Sequence, residues 1–117
     1  MSTDLKIDYI ELPAADFDAV QAFYEAVFGW TFESYGDEYR AFSDGKLDGG
    51  FYKSTEKSTT ERGAALVIFF ATDLEATEKA VTEAGGTIIK PIFSFPGGSR
   101  FQFLDPHGNE LAVWTHG

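Results

Sequence analysis

The chain contains no cysteine, only two histidines and a single methionine. Without cysteine it can form no disulfide and no thiolate metal site, and it has no cysteine nucleophile. Basic residues are scarce too: nine Lys and Arg stand against 19 Asp and Glu, a formal net charge of −10. Because phosphate contacts need clustered Lys and Arg, we expect no nucleic-acid partner. An acidic surface favours a cationic ligand, although it can also serve solubility alone.

Long apolar segments are missing as well. No window approaches the roughly 18 apolar residues of a membrane-spanning helix, and the N-terminus has no basic stretch followed by an apolar run. We therefore expect a soluble, cytoplasmic protein with no membrane partner. Aromatic residues, in contrast, are abundant, with 12 Phe, 5 Tyr and 2 Trp. This content argues against disorder and, at 117 residues, predicts one domain over residues 1–117.

The chain carries one sequence pattern twice, 57 residues apart. Asp16–Ala19 and Asp73–Ala76 share the order Asp, large apolar residue, acid, Ala. Each copy follows an apolar-rich run and leads into a helical pattern that ends at glycine, Gly29 in the first and Gly85 in the second. Solenoid repeats are shorter, about 20–50 residues, so this spacing predicts a duplicated supersecondary module. Two such modules predict a cleft between them.

Each copy predicts the order βαβββ. The first module covers residues 5–53, a polar linker residues 54–63, and the second module residues 64–117. The predicted fold is α+β, with two tandem βαβββ modules that form a curved mixed sheet around the cleft. In the second module the strand after the helix is predicted to end at Lys90. Residues 91–99, rich in Pro and Gly, are then predicted as a loop long enough to cover the cleft.

This order and three segments resemble the vicinal oxygen chelate superfamily. That family includes glyoxalase I, extradiol dioxygenases, and the fosfomycin and bleomycin resistance proteins. The segments are F-Y-E-A-V-F-G-W at 23–30, A-G-G at 84–86 and D-P-H-G-N-E-L at 105–111. The resemblance covers essentially the whole chain and implies the glyoxalase/bleomycin resistance fold. Since this fold carries several unrelated activities, function depends on the site residues.

The resemblance also implies four positions for metal ligands, on the first and last strand of each module. In this chain they correspond to Tyr9, Gly50, Leu66 or Val67, and Ala112. None is a histidine or a carboxylate, whereas metal sites need several converging ligands of that kind. His107 is expected in a surface turn and His116 at an exposed terminus. We therefore expect neither a metal nor another cofactor.

Strand alternation predicts which side chains line the cleft instead. In the last hairpin, Phe, Leu and Val occupy alternate positions, and we expect this face of the strands to pack against the helices. The residues between them then lie on the opposite face, towards the cleft. Applied to both modules, this logic gives the candidate ligand-binding residues Tyr9, Glu11, Tyr39, Asp48, Tyr52, Arg100, Gln102, Glu110 and Trp114. Aromatic walls with a few charges are typical of small-molecule sites. An internal ion pair with Glu110 or Glu11 is the alternative for Arg100.

Two functions of different classes remain open. One is a metal-free binding protein of the bleomycin-resistance type, which holds an aromatic or cationic small molecule. The other is a glyoxalase-related enzyme that acts on a small metabolite by acid–base chemistry without metal. Relatives of this length generally form homodimers, and we expect Trp30 and Phe32 to offer apolar area for such a contact.

Overall fold

The computed structural model describes residues 4–117 and contains two consecutive βαβββ modules. The first consists of β1 (Tyr9–Ala14), α1 (Phe17–Phe28), β2 (Thr31–Ser34), β3 (Tyr39–Ser43) and β4 (Asp48–Lys53). The second consists of β5 (Val67–Phe70), α2 (Leu74–Glu83), β6 (Thr87–Phe95), β7 (Gly98–Leu104) and β8 (Glu110–His116). A 3-10 helix (Thr60–Arg62) lies in the segment between them. The predicted α+β class is confirmed.

Each module forms its own four-stranded mixed sheet. The strand orders are β1-β4-β3-β2 and β5-β8-β7-β6. The first strand of each sheet is parallel to the fourth, while the remaining pairs are antiparallel. The two halves therefore repeat one topology, as the sequence repeat predicts.

The repeated aspartates begin the two helices. The Ala19 N–H donates to Asp16 Oδ1 at 3.1 Å, and the Ala76 N–H donates to Asp73 Oδ1 at 3.0 Å. Each carboxylate thus satisfies an amide that the first helical turn leaves unpaired. Helix α1 ends at Gly29, whose φ of 69° is the left-handed conformation that glycine adopts without penalty. Among residues 4–117, no helix is long and apolar enough to cross a membrane.

Helix α1 connects the two sheets through one aromatic core. The Tyr24 ring stacks on Trp30 with centroids 4.2 Å apart and lies 5.7 Å from Phe51 of β4. On the other side, the Phe23 ring lies 5.9 Å from Phe103 of β7. Both sheets therefore bury one face against the helices. The opposite faces, here called the first-module face and the second-module face, are the ones available to a ligand.

The predicted apolar surface at Trp30 and Phe32 is wrong. Trp30 is 6 % exposed and stacks on Phe42 with centroids 4.2 Å apart, and Phe32 packs against the same core. The strand register explains this, since Phe32 pairs directly with buried Phe42 and so shares its core-directed face. The large apolar side chains that are exposed lie elsewhere: Leu5, Ile7, Tyr9, Tyr35, Tyr52, Ile68, Phe70 and Ile89.

The predicted loop over residues 91–99 is also wrong. Strand β6 continues to Phe95, and β7 already begins at Gly98. Pro91 falls where the β6–β7 register shifts, between Lys90 and Phe93. Because β6 is an edge strand, a residue without an N–H can be accommodated at such an irregularity. The segment is part of the sheet and does not form a long cover over a cleft.

Candidate functional site

The strand register places the five first-module candidates on one face. Tyr9 pairs with Asp48, and Tyr39 pairs with Tyr52. Glu11 lies two residues after Tyr9 on β1 and therefore shares its face. This face is opposite the one that carries core residues such as Phe51. Alternation alone therefore locates these side chains correctly, while their contact with a ligand stays a prediction.

A groove of about 580 Å³ lies on this module. Its lining comes from the first module alone. The polar and aromatic side chains that line it are Tyr9, Thr31, Phe32, Glu33, Tyr35, Tyr39, Phe42, Ser43 and Asp48. Tyrosines thus line the groove together with two carboxylates, and the lining includes no Lys or Arg.

Three candidates form a hydrogen-bond chain that begins in the groove. Tyr39 Oη donates to Glu11 Oε2 at 2.9 Å, and Tyr9 Oη lies 2.7 Å from Tyr39 Oη. Because Tyr39 has one hydroxyl proton and gives it to the carboxylate, Tyr9 must donate to Tyr39. The lone pairs of Tyr9 Oη are then left to accept a hydrogen bond from a ligand. Burial, followed by the hydrogen bonds with Tyr9 and Glu11, raises the pKa of Tyr39, so this hydroxyl stays protonated.

Two adjacent glycines at the start of β4 make this arrangement possible. A Cβ at position 50 would collide with the hydroxyl end of Tyr39, which occupies that space. A Cβ at position 49 would instead meet the Ile10 carbonyl oxygen and the Phe42 ring on the core side. The missing side chain at Gly50 therefore leaves room for the Tyr39 hydroxyl. The missing side chain at Gly49 leaves room for close packing of the core.

The residues present do not fit a metal ion. From the sequence, either Leu66 or Val67 could occupy the family's metal-ligand position on the first strand of the second module. Val67 pairs with Leu111, which is buried in the core, so Val67 faces the core and the position belongs to Leu66. Above Gly50 the space is filled by the Tyr39 hydroxyl. Within residues 4–117, no cluster of three or more His, Cys, Asp or Glu could hold a metal. The donor set required for metal chemistry is thus missing from the family positions.

Tyr52 lies apart from the groove. It lines a separate, polar depression of about 390 Å³ together with Glu11 and linker residues, including Lys57 and Arg62. Arg62 and Glu56, which both line this depression, form an ion pair 2.9 Å long. The structure therefore brings Tyr9, Tyr39 and Asp48 together, connects Glu11 to them through a hydrogen bond, and leaves Tyr52 on the linker side.

In the second module, Glu110 holds the linker against the sheet. Its Oε2 accepts from Gln102 Nε2 at 2.7 Å, and its Oε1 accepts from the Thr60 N–H and hydroxyl, each at 2.8 Å. Burial alone would raise the pKa of Glu110, but the bonds from Thr60 and Gln102 outweigh burial and lower it. Both carboxylate oxygens are occupied within the chain, which favours a structural role for Glu110.

The lowered pKa of Glu110 predicts a loss of stability in acid. A carboxylate whose pKa is lower in the folded state contributes stability above its ordinary pKa of 4.5, and that contribution disappears as the pH falls through the folded value. Glu110→Gln should lower the free energy of unfolding by about 1–2 kcal/mol at neutral pH. Urea melts at several pH values should show the difference from wild type shrinking below pH 4.5. A difference that stays constant with pH would contradict this assignment.

Arg100 and Trp114 lie opposite each other on the second-module face. Among the residues described, ion pairs join Arg40 to Asp18 and Arg62 to Glu56, so Arg100 forms neither of the internal ion pairs considered from sequence. Its guanidinium carbon lies 5.4 Å from the ring centroid of Phe93 and 6.0 Å from that of Phe95. Trp114 is partly exposed, with its ring 5.4 Å from that of Phe70.

His107 was expected in a surface turn, but its ring is engaged at both nitrogens. Nδ1 accepts the Ala15 N–H at 3.2 Å, so Nε2 carries the proton and donates to the Glu56 carbonyl at 2.6 Å. The ring thereby joins the first module and the linker to the last turn. No local pattern could reveal this, because the partners are 92 and 51 residues away in sequence.

Sequence reasoning also missed a buried polar cluster at the core of the fold. Tyr24 Oη donates to Asp105 Oδ2 at 2.8 Å, and Asp105 Oδ1 accepts the N–H groups of His107, Gly108 and Asn109 at 2.9, 3.0 and 3.0 Å. Burial, followed by the charge and hydrogen bond of Asp105, raises the pKa of Tyr24 well above its usual value. Two of the segments that carry the family resemblance meet here, so they specify the fold and not a ligand site.

Comparisons with known proteins agree with this architecture. The model of the glyoxalase/bleomycin resistance protein/dioxygenase superfamily matches residues 6–113. The chain is 32 % identical over 127 aligned positions to anthracycline biosynthesis protein DauV of Streptomyces sp. strain C5, covering 93 % of this chain and 46 % of that protein. It thus spans about half the length of this curated relative. It is 31 % identical to a glyoxylase-like domain-containing protein of Didymella fabae, covering 94 % of this chain and 93 % of that one.

A solved structure shows the same fold at lower sequence identity. It is a glyoxalase/bleomycin resistance protein/dioxygenase family enzyme from Burkholderia phytofirmans PsJN, with a TM-score of 0.78 and 21 % identity. The match covers 94 % of this chain and 99 % of that chain. At this identity the likeness concerns the fold alone.

Proposed function

The chain belongs to the glyoxalase/bleomycin resistance protein/dioxygenase superfamily, and on that premise we propose that it binds a planar aromatic cation in the first-module groove without a metal ion. The observation that carries the proposal is the groove lining. Tyrosines surround a space of about 580 Å³ in which Glu33 and Asp48 supply negative charge and no basic side chain opposes them. Aromatic rings and carboxylates both attract a cation, and the rings also bury the apolar part of an aromatic ligand.

The hydrogen-bond chain supplies a polar contact for such a ligand. Since the proton of Tyr9 is directed to Tyr39, Tyr9 Oη presents an acceptor, which suits an ammonium or amino N–H of the ligand. A relative of this chain is named for anthracycline biosynthesis, and a polycyclic aromatic ligand is in keeping with that name. The proposal concerns the class of ligand, a fused-ring aromatic with a protonated nitrogen.

The proposal is tested with proflavine, a planar aromatic cation whose fluorescence reports binding. The wild type should bind it in the presence of EDTA. In the double variant Glu33→Gln, Asp48→Asn the affinity should fall by about tenfold or more, because the two carboxylates that line the groove are removed. Glu83→Gln, at an exposed position of α2, is the control and should bind like wild type. No binding by the wild type, or equal binding by the double variant, would contradict the proposal.

A second candidate function is favoured by the same chain of hydroxyl groups. A ligand O–H placed at Tyr9 can pass its proton to Tyr9, while the proton of Tyr9 moves to Tyr39 and that of Tyr39 to the Glu11 carboxylate. The ligand becomes an anion and Glu11 a neutral acid, without metal. Mass spectrometry of a co-purified compound after incubation separates the two functions. A binding protein returns the compound unchanged, whereas an enzyme converts it and loses the activity in Glu11→Gln.

We also propose that the chain forms a homodimer through the apolar part of the second-module face. Ile68 and Phe70 are 45 % and 50 % exposed and lie on the same face of β5. Such residues are suited to a self-complementary contact. Light scattering at micromolar concentration should give the dimer mass for the wild type and the monomer mass for Phe70→Asp. Ile89→Asp, an equally exposed position on edge strand β6, should stay dimeric. A monomeric wild type would overturn this proposal.

A further inference from the structure

The second-module face contains a cation, Arg100, that forms no ion pair with a residue described by the structure. Arg100 is partly buried, and no carboxylate among residues 4–117 forms an ion pair with it, in a chain with 19 Asp and Glu. The rings of Phe93 and Phe95 lie against its guanidinium group at 5.4 and 6.0 Å. Stacking of this kind orients the planar group and leaves its N–H edge free for an in-plane acceptor. A positive charge held in this way is complementary to a planar anion.

Two buried polar atoms near this charge have no hydrogen-bond partner among residues 4–117. Arg100 Nε is a donor and Gln102 Oε1 an acceptor, and both are buried without a hydrogen bond. Gln102 is only 2 % exposed, and its Nε2 already donates to Glu110, which fixes the amide and leaves Oε1 as the unmatched end. Unpaired buried polar groups cost about 1–3 kcal/mol each, so a pair of them two residues apart on one strand face calls for a partner.

Aromatic surface adjoins the two unmatched groups. Trp114 pairs with Arg100 across β7 and β8, so its indole lies on the same face. A ligand anchored at Arg100 therefore has apolar area beside it for a ring system.

We propose that the second-module face binds a hydroxylated aromatic carboxylate. The carboxylate accepts from the Arg100 guanidinium, the ligand hydroxyl donates to Gln102 Oε1, and the ring packs on Trp114. One ligand thus supplies the missing negative charge, the missing donor and the apolar contact. This site is separate from the first-module groove and has the opposite charge preference, so it does not depend on the function proposed for that groove.

Three related probes test the proposal: 3-hydroxy-2-naphthoate, 2-naphthoate, which lacks the hydroxyl, and methyl 3-hydroxy-2-naphthoate, which lacks the charge. Equilibrium titration of the wild type should give the tightest binding for the first probe. Arg100→Gln should weaken it at least tenfold, and Arg100→Lys should fall in between because lysine keeps the charge but not the planar fork. Gln102→Met should weaken binding of the hydroxylated acid while leaving that of 2-naphthoate unchanged.

Lys79→Gln is the matched control, since it removes the same charge from an exposed position of α2 and should bind all probes like wild type. Thermal melts establish that each variant is folded. Equal affinity of wild type and Arg100→Gln for 3-hydroxy-2-naphthoate, or equal affinity of the wild type for all three probes, would overturn the proposal. If the probes fail to bind and Arg100→Gln converts a dimer to a monomer, the counter-ion belongs to a second copy of the chain, which overturns it as well.

Discussion

Asp105→Ala is expected to lower the free energy of unfolding by about 3–5 kcal/mol, a large effect for one substitution. The carboxylate is 4 % exposed and accepts from the Tyr24 hydroxyl and from three successive backbone N–H groups. Asn109 Nδ2 also donates to it at 3.2 Å. Removing the acceptor leaves several buried donors unpaired, and each carries its own desolvation cost. Urea denaturation measures the loss.

Two variants accompany this measurement. Asp37→Ala, at an exposed bend, should change stability by less than about 0.5 kcal/mol. Tyr24→Phe keeps the ring packing, removes one hydrogen bond and should cost about 1–2 kcal/mol. If Asp105→Ala proved as harmless as Asp37→Ala, the hydrogen bonds that Asp105 accepts would not stabilise the fold as described.

Two neighbouring glycines should respond to alanine in different ways. Gly49→Ala is expected to cost about 2–3 kcal/mol, because the new methyl group meets the Ile10 carbonyl and the Phe42 ring inside a packed core. In Gly50→Ala the obstacle is the end of the Tyr39 side chain, which can rotate away. The fold should therefore tolerate Gly50→Ala far better, while the chain from Tyr9 to Glu11 is broken.

Thermal melts together with proflavine titration distinguish the two glycines. Gly49→Ala should melt well below wild type. Gly50→Ala should melt close to wild type yet bind proflavine several-fold more weakly, because Tyr39 no longer holds Tyr9 as an acceptor. Equal melting temperatures for the two variants would show that the core is not tightly packed around Gly49. Unchanged affinity of Gly50→Ala for proflavine would show that Tyr39 does not contribute to ligand binding.

Local patterns in the sequence predict much of the fold. The N-cap aspartates, the glycine that ends α1 and the alternation along each strand depend on neighbours within a few residues, so both helices and the ligand-accessible faces follow from them. The end of β6 cannot be predicted from local patterns, because Pro91 and the glycines near it are typical of loops. Only the position of β6 at a sheet edge, which is a tertiary feature, makes a strand compatible with that proline.

The candidate site is less accessible to sequence reasoning than the fold. Alternation predicts that Tyr9, Glu11 and Tyr39 share a face, but their hydrogen bonds join residues 28 and 30 positions apart. No sequence pattern shows that the Glu110 carboxylate accepts a hydrogen bond from Thr60. Nor does one show that Arg100 has no ion pair with a described residue. The interactions of Glu110 and Arg100 depend on how the linker and β6 pack against the sheet, which local sequence preferences do not determine.

The most direct test of ligand binding in the first-module groove is an amide NMR titration of the ¹⁵N-labelled protein with proflavine in EDTA. If the first-module groove is the binding site, the largest shift changes should fall on residues of β1 to β4 around Tyr9, Tyr39 and Asp48. The Glu33→Gln, Asp48→Asn variant should lose them. Shift changes confined to the second module, or changes that appear only after a divalent metal is added, would contradict metal-free binding in this groove.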